Sequence, residues 1–166
     1  MKIKIFSVGG TIDKVYFDRL SEYQVGSPSV REIFANLPIT FEYEIESLMR
    51  KDSLDMDASD RQLVREVVER ETCRHIIITH GTDTMIETGK ALHGLTGKCV
   101  VLTGAMEPAH FKSSDAVFNL GVAVGAVSSL PEGVYIAMNG GVFDPFQCRK
   151  NRQRHIFEPL ERTDSQ

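Results

Sequence analysis

Cysteine is scarce in this sequence, and basic residues are not in excess. The three cysteines, Cys73, Cys99 and Cys148, lie far apart, so they provide neither a paired disulfide framework nor the close spacing of a zinc site. The formal net charge is -4 at pH 7, whereas binding to duplex nucleic acid needs clustered Lys and Arg. We therefore expect a cytoplasmic protein with reduced thiols that needs no metal or other cofactor, binds no nucleic acid, and acts on a small molecule or contacts a protein partner.

Long apolar stretches are also missing. The first six residues alternate between polar and apolar side chains, and no run long enough for a signal peptide or a membrane span follows them. The chain has 166 residues, of which 42% are hydrophobic and 25% charged, and this is ordinary for one globular domain. We expect a single core and no association with a membrane.

Short apolar segments, bounded by glycine or polar residues, predict buried strands. They cover residues 3–8, 75–79, 100–104 and 134–138. Two segments lack such apolar runs. Residues 14–26 are polar with little periodicity and predict a mobile loop. Residues 149–166 are also polar and are expected to lie at the periphery of the domain.

Segments of helical period lie between these strands. One begins after Asp57, a second at Ser27 and Pro28, and a third at Ser113 or Ser114. Strands that alternate with helices predict a doubly wound α/β fold, with a mostly parallel sheet and helices on both faces. Ligands of such folds bind beyond the carboxyl ends of the strands.

The first strand runs into Gly9-Gly10-Thr11 at that ligand-binding edge. Two glycines allow a tight turn that brings a hydroxyl close to a ligand. The same turn is typical of phosphate-binding loops, but the full G-x-G-x-x-G spacing of a dinucleotide site is not met. A nucleotide-binding domain therefore has only this turn in its favour.

The strand at residues 75–79 is followed by a second polar loop, His80-Gly81-Thr82-Asp83-Thr84. On one interpretation Asp83 or Thr84 only caps the next helix and His80 is a buried imidazole without a catalytic role. Capping needs a single short polar side chain, however, whereas this loop offers hydroxyls, a carboxylate and the N–H groups of a helix N-terminus. Those groups are what an amidase needs.

These two loops resemble the two signatures of the bacterial-type asparaginase family. Val8-Gly9-Gly10-Thr11-Ile12 looks like the first, and Thr79-His80-Gly81-Thr82-Asp83-Thr84-Met85 looks like the second almost without change. Further similar segments follow in order along the chain: Asp52-Ser53, Thr103-Gly104-Ala105-Met106, and Met138-Asn139 leading toward Lys150. The resemblance covers nearly the whole chain.

The resemblance implies hydrolysis of L-asparagine to L-aspartate and ammonia through a covalent acyl-enzyme. Thr11 is the implied nucleophile, and a loop tyrosine accepts its proton. The implied catalytic residues are Thr11, Tyr16 or Tyr23, Thr82, Asp83 and Lys150. Lys150 has a second interpretation, since it lies among Arg149, Arg152 and Arg154, and a run of charges is usually a solvated face.

Recognition of a free amino acid is implied at the same loops. Asp83 is expected to bind the α-ammonium group, Ser53 the α-carboxylate, and Ala105 to contribute its backbone alone. The implied substrate-binding residues are Gly10, Asp52, Ser53, Gly81, Thr82, Asp83 and Ala105. Two residues depart from the family pattern: Asp13 replaces a small residue, and Leu54 replaces a polar one and cannot donate to the substrate carboxylate.

Family members continue into a smaller C-terminal domain for which this sequence has no counterpart. We therefore expect residues 1–166 to form the N-terminal-type catalytic domain alone, as a homodimer or higher homo-oligomer that covers the exposed surface. The alternative function is a non-catalytic module, or sensor subunit, that binds asparagine or aspartate without hydrolysing it.

Overall fold

A six-stranded sheet forms the centre of this computed structural model, which describes residues 1–160. The strands follow the order β4-β1-β5-β6-β7-β8, and all neighbours are parallel except β7 and β8. In chain order the elements are β1 (Lys2–Gly9), β2 (Lys14–Phe17), β3 (Glu22–Val25), α1 (Val30–Ala35), β4 (Glu42–Lys51), α2 (Ala58–Arg70), β5 (His75–Thr79), α3 (Met85–Ala91), β6 (Cys99–Thr103), α4 (Ala116–Ser129), β7 (Gly133–Met138), β8 (Gly141–Phe143), β9 (Cys148–Asn151) and β10 (Ile156–Pro159).

Helices cover both faces of the sheet, as the alternation of segments predicts. Successive strand residues point to opposite faces, and accordingly Ile77 belongs to one hydrophobic cluster and Ile78 to the other. The Ile78 cluster includes Val64 of α2 and Met85 of α3, whereas the Ile77 cluster includes residues of α1 and α4. Within residues 1–160 no helix has the length and apolar character needed to cross a membrane.

The predicted strands and helices are confirmed with small shifts at their ends. All four predicted strands are present as β1, β5, β6 and β7. Helix α2 begins after Asp57, whose carboxylate accepts hydrogen bonds from the backbone of Ser59 and Asp60. Helix α4 begins at Ala116, two or three residues beyond the predicted serines. Strand β4 was not predicted, although it is the longest in the sheet.

The prediction that residues 14–26 form a loop is wrong. Residues 14–26 contain a β-hairpin in which β2 and β3 pair antiparallel, because the chain turns back at residues 18–21 and its strands satisfy each other's hydrogen bonds. Residues 148–159 contain a second antiparallel pair, β9 and β10, anchored by the buried side chain of Phe157. The rest of the predicted peripheral segment, residues 161–166, lies outside the described residues.

Candidate active site

The carboxyl ends of three neighbouring strands carry the first part of the candidate site. Strands β4, β1 and β5 lie side by side and run parallel, so the loops that follow them meet at one edge of the sheet. The backbone N–H of Gly10 donates to the carbonyl of Lys51 at 2.9 Å, which joins the loop after β1 to the end of β4. This edge is where the sequence places Thr11, Ser53 and Thr82.

Close backbone contacts hold these three loops together. Gly10 has a φ of 92°, and a Cβ atom there would lie 2.3 Å from the backbone nitrogen of Gly81. A Cβ on Gly81 would in turn lie 2.6 Å from the side chain of Ser53. Only glycine permits such approaches. The neighbours of these glycines in sequence, Thr11 and Thr82, are therefore brought to the same region of the molecule.

Lys150 reaches this region from β9, outside the main sheet. Its Nζ donates hydrogen bonds to Thr82 Oγ1 at 2.8 Å and to Asp83 Oδ1 at 2.9 Å. The Lys150 side chain is 12% exposed, whereas the Arg152 side chain is 71% exposed and lies 4.0 Å from the same Asp83 oxygen. Within this run of basic residues, the amine of Lys150 is therefore shielded from solvent, whereas the guanidinium group of Arg152 is solvated.

Ser53 packs against Gly81, and its side chain is buried. Its Oγ is shielded from solvent and has no hydrogen-bond partner among residues 1–160. An unpaired buried hydroxyl costs free energy. The Ser53 carbonyl, in contrast, accepts a hydrogen bond from Thr84 Oγ1 at 2.7 Å, so the Thr84 side chain braces this segment and does not cap α3.

Asp52 fixes the beginning of the short 3-10 helix Ser53–Asp55. Its carboxylate accepts from the backbone N–H of Leu54 and from Lys14 Nζ at 2.7 Å. Partial burial alone would raise the pKa of Asp52, but the hydrogen bonds from Lys14 and Leu54 outweigh it and lower the pKa. The side chain of Leu54 itself is exposed.

Thr11 opens another 3-10 helix, Thr11–Asp13, and is partly exposed. Its hydroxyl has no hydrogen-bond partner among residues 1–160. Asp13 lies buried behind it and accepts from Ser7 Oγ at 2.8 Å and from the backbone N–H of Ser29 at 2.7 Å. Burial raises the pKa of Asp13 although these hydrogen bonds oppose it. The unusual aspartate therefore anchors the turn that carries Thr11.

His80 is a fully buried imidazole with a partner on each nitrogen. Nδ1 lies 2.7 Å from the carbonyl oxygen of Gly81 and Nε2 lies 2.7 Å from Thr88 Oγ1. Burial lowers its pKa from 6.5 to about 4. The side chain ties the second loop to α3, in line with the interpretation of His80 as a structural residue.

The two candidate tyrosines face each other across the hairpin. Tyr16 pairs with Tyr23 in the register of β2 and β3, their ring centroids are 5.4 Å apart, and both are about half exposed. Tyr23 also contacts His110 and Phe111. With Asp52, Tyr23 lines a cavity of about 730 Å³, whereas the ring of Tyr16 contacts Tyr23 alone among the described rings.

Ala105 lies in the loop after β6 and is buried in the hydrophobic core. Two polar residues that belong to none of the sequence motifs, Asp115 and Asn119, brace this loop. Asp115 accepts hydrogen bonds from the backbone N–H of Met106, and Asn119 Nδ2 donates to the carbonyl of Gly104 at 3.0 Å. The one signal for Asn119 is that it is the only polar residue of helix α4 before the two serines at its end.

Within the described part of the chain, no three His, Cys, Asp or Glu side chains cluster so that they could hold a metal ion. The assembled groups are two threonine hydroxyls, a shielded amine paired with a carboxylate, and a buried serine. They are suited to nucleophilic and proton-transfer chemistry on a small polar molecule.

A family model described as "Asparaginase, N-terminal" matches residues 2–158. The chain belongs to the asparaginase family. The family resemblance predicted from the two threonine loops is therefore confirmed.

Known asparaginases resemble the chain in both sequence and structure. It is 35% identical over 153 residues to the "Probable L-asparaginase periplasmic" of Haemophilus influenzae, covering 84% of this chain and 43% of that protein. It is 36% identical over 119 residues to the "Glutaminase-asparaginase" of Acinetobacter glutaminasificans, covering 68% of this chain and 35% of that protein.

The fold comparison agrees with the sequence comparisons. The thermostable L-asparaginase from Thermococcus kodakarensis superposes with a TM-score of 0.84 at 25% identity, covering 96% of this chain and 51% of that one. The predicted α/β fold is thereby confirmed. The chain spans about half, or less than half, of the length of these relatives.

Proposed function

We propose that this chain hydrolyses the side-chain amide of L-asparagine to aspartate and ammonia, with Thr11 as the nucleophile. The observation that carries the proposal is the pair of hydrogen bonds from Lys150 Nζ to Thr82 Oγ1 and Asp83 Oδ1, at 2.8 and 2.9 Å. These bonds join residues that lie far apart in sequence, and the Gly10–Gly81 contact brings the Thr11 turn beside them.

In the proposed reaction, Thr11 Oγ1 attacks the carboxamide carbon and loses its proton to a base at the site. The C–N bond then breaks, the amide nitrogen takes up a proton, and ammonia leaves an ester on Thr11. Water attacks that ester, the bond to Thr11 Oγ1 breaks, and aspartate departs as the Thr11 hydroxyl regains its proton. Each step moves one proton to or from an oxygen or nitrogen at the site.

Thr82, Lys150 and Asp83 are proposed as the proton relay. Thr82 Oγ1 already accepts a hydrogen bond from Lys150, so its own proton is available for a hydrogen bond to the reacting amide. Asp83 pairs with the Lys150 amine and fixes its direction. We propose Tyr23 rather than Tyr16 as the tyrosine that acts on Thr11, because its ring contacts His110 and Phe111 in a loop that is hydrogen-bonded to Ile12, beside Thr11.

Substrate orientation is proposed to depend on charge at both ends of the amino acid. Asp83 Oδ2 has no hydrogen bond among residues 1–160 and is proposed to receive the α-ammonium group. The unpaired Ser53 hydroxyl is proposed to donate to the α-carboxylate, which would relieve the cost of leaving it unpaired. Gly10, Gly81 and Ala105 are proposed to contribute backbone only.

Ammonia release from asparagine tests the proposal. Thr11→Val and Thr82→Val should each lower the rate by at least ~100-fold, since each removes a group that takes part in proton transfer or bond formation. Thr96→Val is the matched control, because Thr96 is an exposed threonine in the loop between α3 and β6. Wild-type rates in both site variants would rule out the threonine mechanism.

Two further assays separate the alternatives. Calorimetry that detects binding of asparagine or aspartate in the absence of ammonia release would select the non-catalytic binding module. Glutamine should be assayed alongside asparagine, because the Acinetobacter relative is named for both activities.

The setting of the protein is also proposed. We propose that it acts in the cytoplasm as a homo-oligomer, whereas the Haemophilus relative is named as periplasmic.

A further inference from the structure

Aromatic rings join the β2–β3 hairpin to the loop after β6. This aromatic cluster consists of Tyr16, Tyr23, His110 and Phe111. The ring of Tyr23 stacks on His110 at 6.4 Å and meets the edge of Phe111 at 6.1 Å. His110 and Phe111 also contact each other, with centroids 4.7 Å apart.

The hairpin depends on this cluster for its outer half. At its base, Gly26 N–H donates to the backbone carbonyl of Asp13, and Lys14 Nζ donates to the carboxylate of Asp52. Beyond that base, residues 15–24 make hydrogen bonds only among themselves within the described part of the chain. Ring contacts are therefore what joins Tyr23 to the loop after β6.

Hydrogen bonds hold the loop that carries His110 and Phe111 in place. The loop at residues 104–115 is closed by hydrogen bonds from the N–H groups of Met106 and Glu107 to Asp115, and from Ser114 Oγ to the carbonyl of Glu107. Ala109 N–H also donates to the carbonyl of Ile12, one residue beyond Thr11, at 3.1 Å. His110 and Phe111 are thus presented from a braced loop beside the Thr11 turn.

We propose that His110 and Phe111 are positioning residues for Tyr23. They hold the hairpin against the Thr11 turn and so determine the fraction of molecules in which Tyr23 lies at the site. The catalytic consequence rests on the proposed function, whereas the effect on the hairpin rests on the ring contacts alone. Neither residue needs to touch the substrate.

Hydrogen exchange of the full chain, followed by mass spectrometry, tests the structural part. Phe111→Ala should accelerate exchange in residues 14–25 by roughly five-fold, the effect of losing one or two ring contacts, without changing exchange in β5. Phe111→Tyr should restore the wild-type rate because it keeps the ring. Phe146→Ala is the matched control, since Phe146 is an exposed ring that contacts His93 at 5.1 Å away from the hairpin.

Kinetics on asparagine test the positioning role. In Phe111→Ala, kcat/KM should fall by up to about five-fold, because turnover follows the fraction of molecules whose hairpin is closed, and Phe111→Tyr should recover it. Unchanged exchange in both Phe111→Ala and the double variant with His110→Ala would overturn the inference, as would faster exchange with unchanged kcat/KM. Faster hairpin exchange in a protein whose wild type releases no ammonia would support the ring contacts and reject the proposed function instead.

Discussion

Acidification should destabilise the fold through His80, because the partners of this imidazole require it to be neutral. The Gly81 carbonyl can only accept a hydrogen bond, so Nδ1, at 2.7 Å from it, carries the proton. Nε2 is then the acceptor for the hydroxyl of Thr88, also at 2.7 Å. A second proton on Nε2 would displace that hydroxyl proton and place a charge in a site with no solvent contact.

The size of the effect follows from the pKa of His80, which burial lowers from 6.5 to about 4. Since the pKa in the folded state lies below the unfolded value, the contribution of the neutral imidazole to stability is complete above about pH 6.5 and is lost as the pH falls toward 4. One pKa unit corresponds to ~1.4 kcal/mol, so the free energy of unfolding should decrease by ~2 kcal/mol at pH 5 and by ~3 kcal/mol at pH 4 from this group alone.

Urea unfolding of wild type and His80→Gln at pH 7 and pH 5 measures the pH-dependent contribution of His80 to the free energy of unfolding. Glutamine keeps one donor and one acceptor but does not titrate, so the stability advantage of wild type should shrink by ~2 kcal/mol between the two pH values. His155→Gln, at an exposed histidine, should follow wild type. A constant difference between wild type and His80→Gln would refute the reasoning, as would an NMR titration of His80 with a midpoint near 6.5.

Two other substitutions test the packing beneath the site. Gly10→Ala should destabilise the protein by more than ~2 kcal/mol in urea unfolding, because it combines a positive φ with a clash against Gly81. Gly94→Ala is the control for φ alone, since Gly94 has a φ of 83° with nothing within 4 Å, and equal losses at both positions would contradict the clash. Asp13→Asn should be tolerated better relative to wild type at pH 7 than at pH 4, since burial raises the pKa of Asp13 and stability is lost as the pH rises through it. Unfolding midpoints at the two pH values check this, and a wild-type advantage that grows toward pH 7 would count against it.

The central strands could be predicted from the sequence because burial on both faces makes them continuously apolar. Strands β5 and β6 are of this kind. Strand β4 could not be recognised in the same way, since it lies at the edge of the sheet and its charged residues, such as Glu44, face solvent or pair with Lys4. The hairpin and the β9–β10 pair are short and polar, and their partners stabilise them more than their own composition does.

The site was predictable where the functional residue directly follows a buried strand. Thr11 and Thr82 meet this condition, because the parallel topology alone brings strand ends together. Lys150 does not, since its shielding depends on how β9 docks onto the second loop, and the neighbouring arginines obscure it in the sequence. His110 and Phe111 carry no local signal, and their relation to Tyr23 exists only in the folded molecule.

The arrival of Lys150 from β9 has a consequence for how the protein is made. A chain leaving the ribosome can complete all five parallel strands of the sheet, the last ending at Met138, before the amine emerges. The bonds from Lys150 span 68 and 67 residues of sequence. A nascent or truncated chain can therefore contain all five parallel strands and still lack the amine that completes the proposed chemistry. Turnover would begin only when β9 and β10 dock.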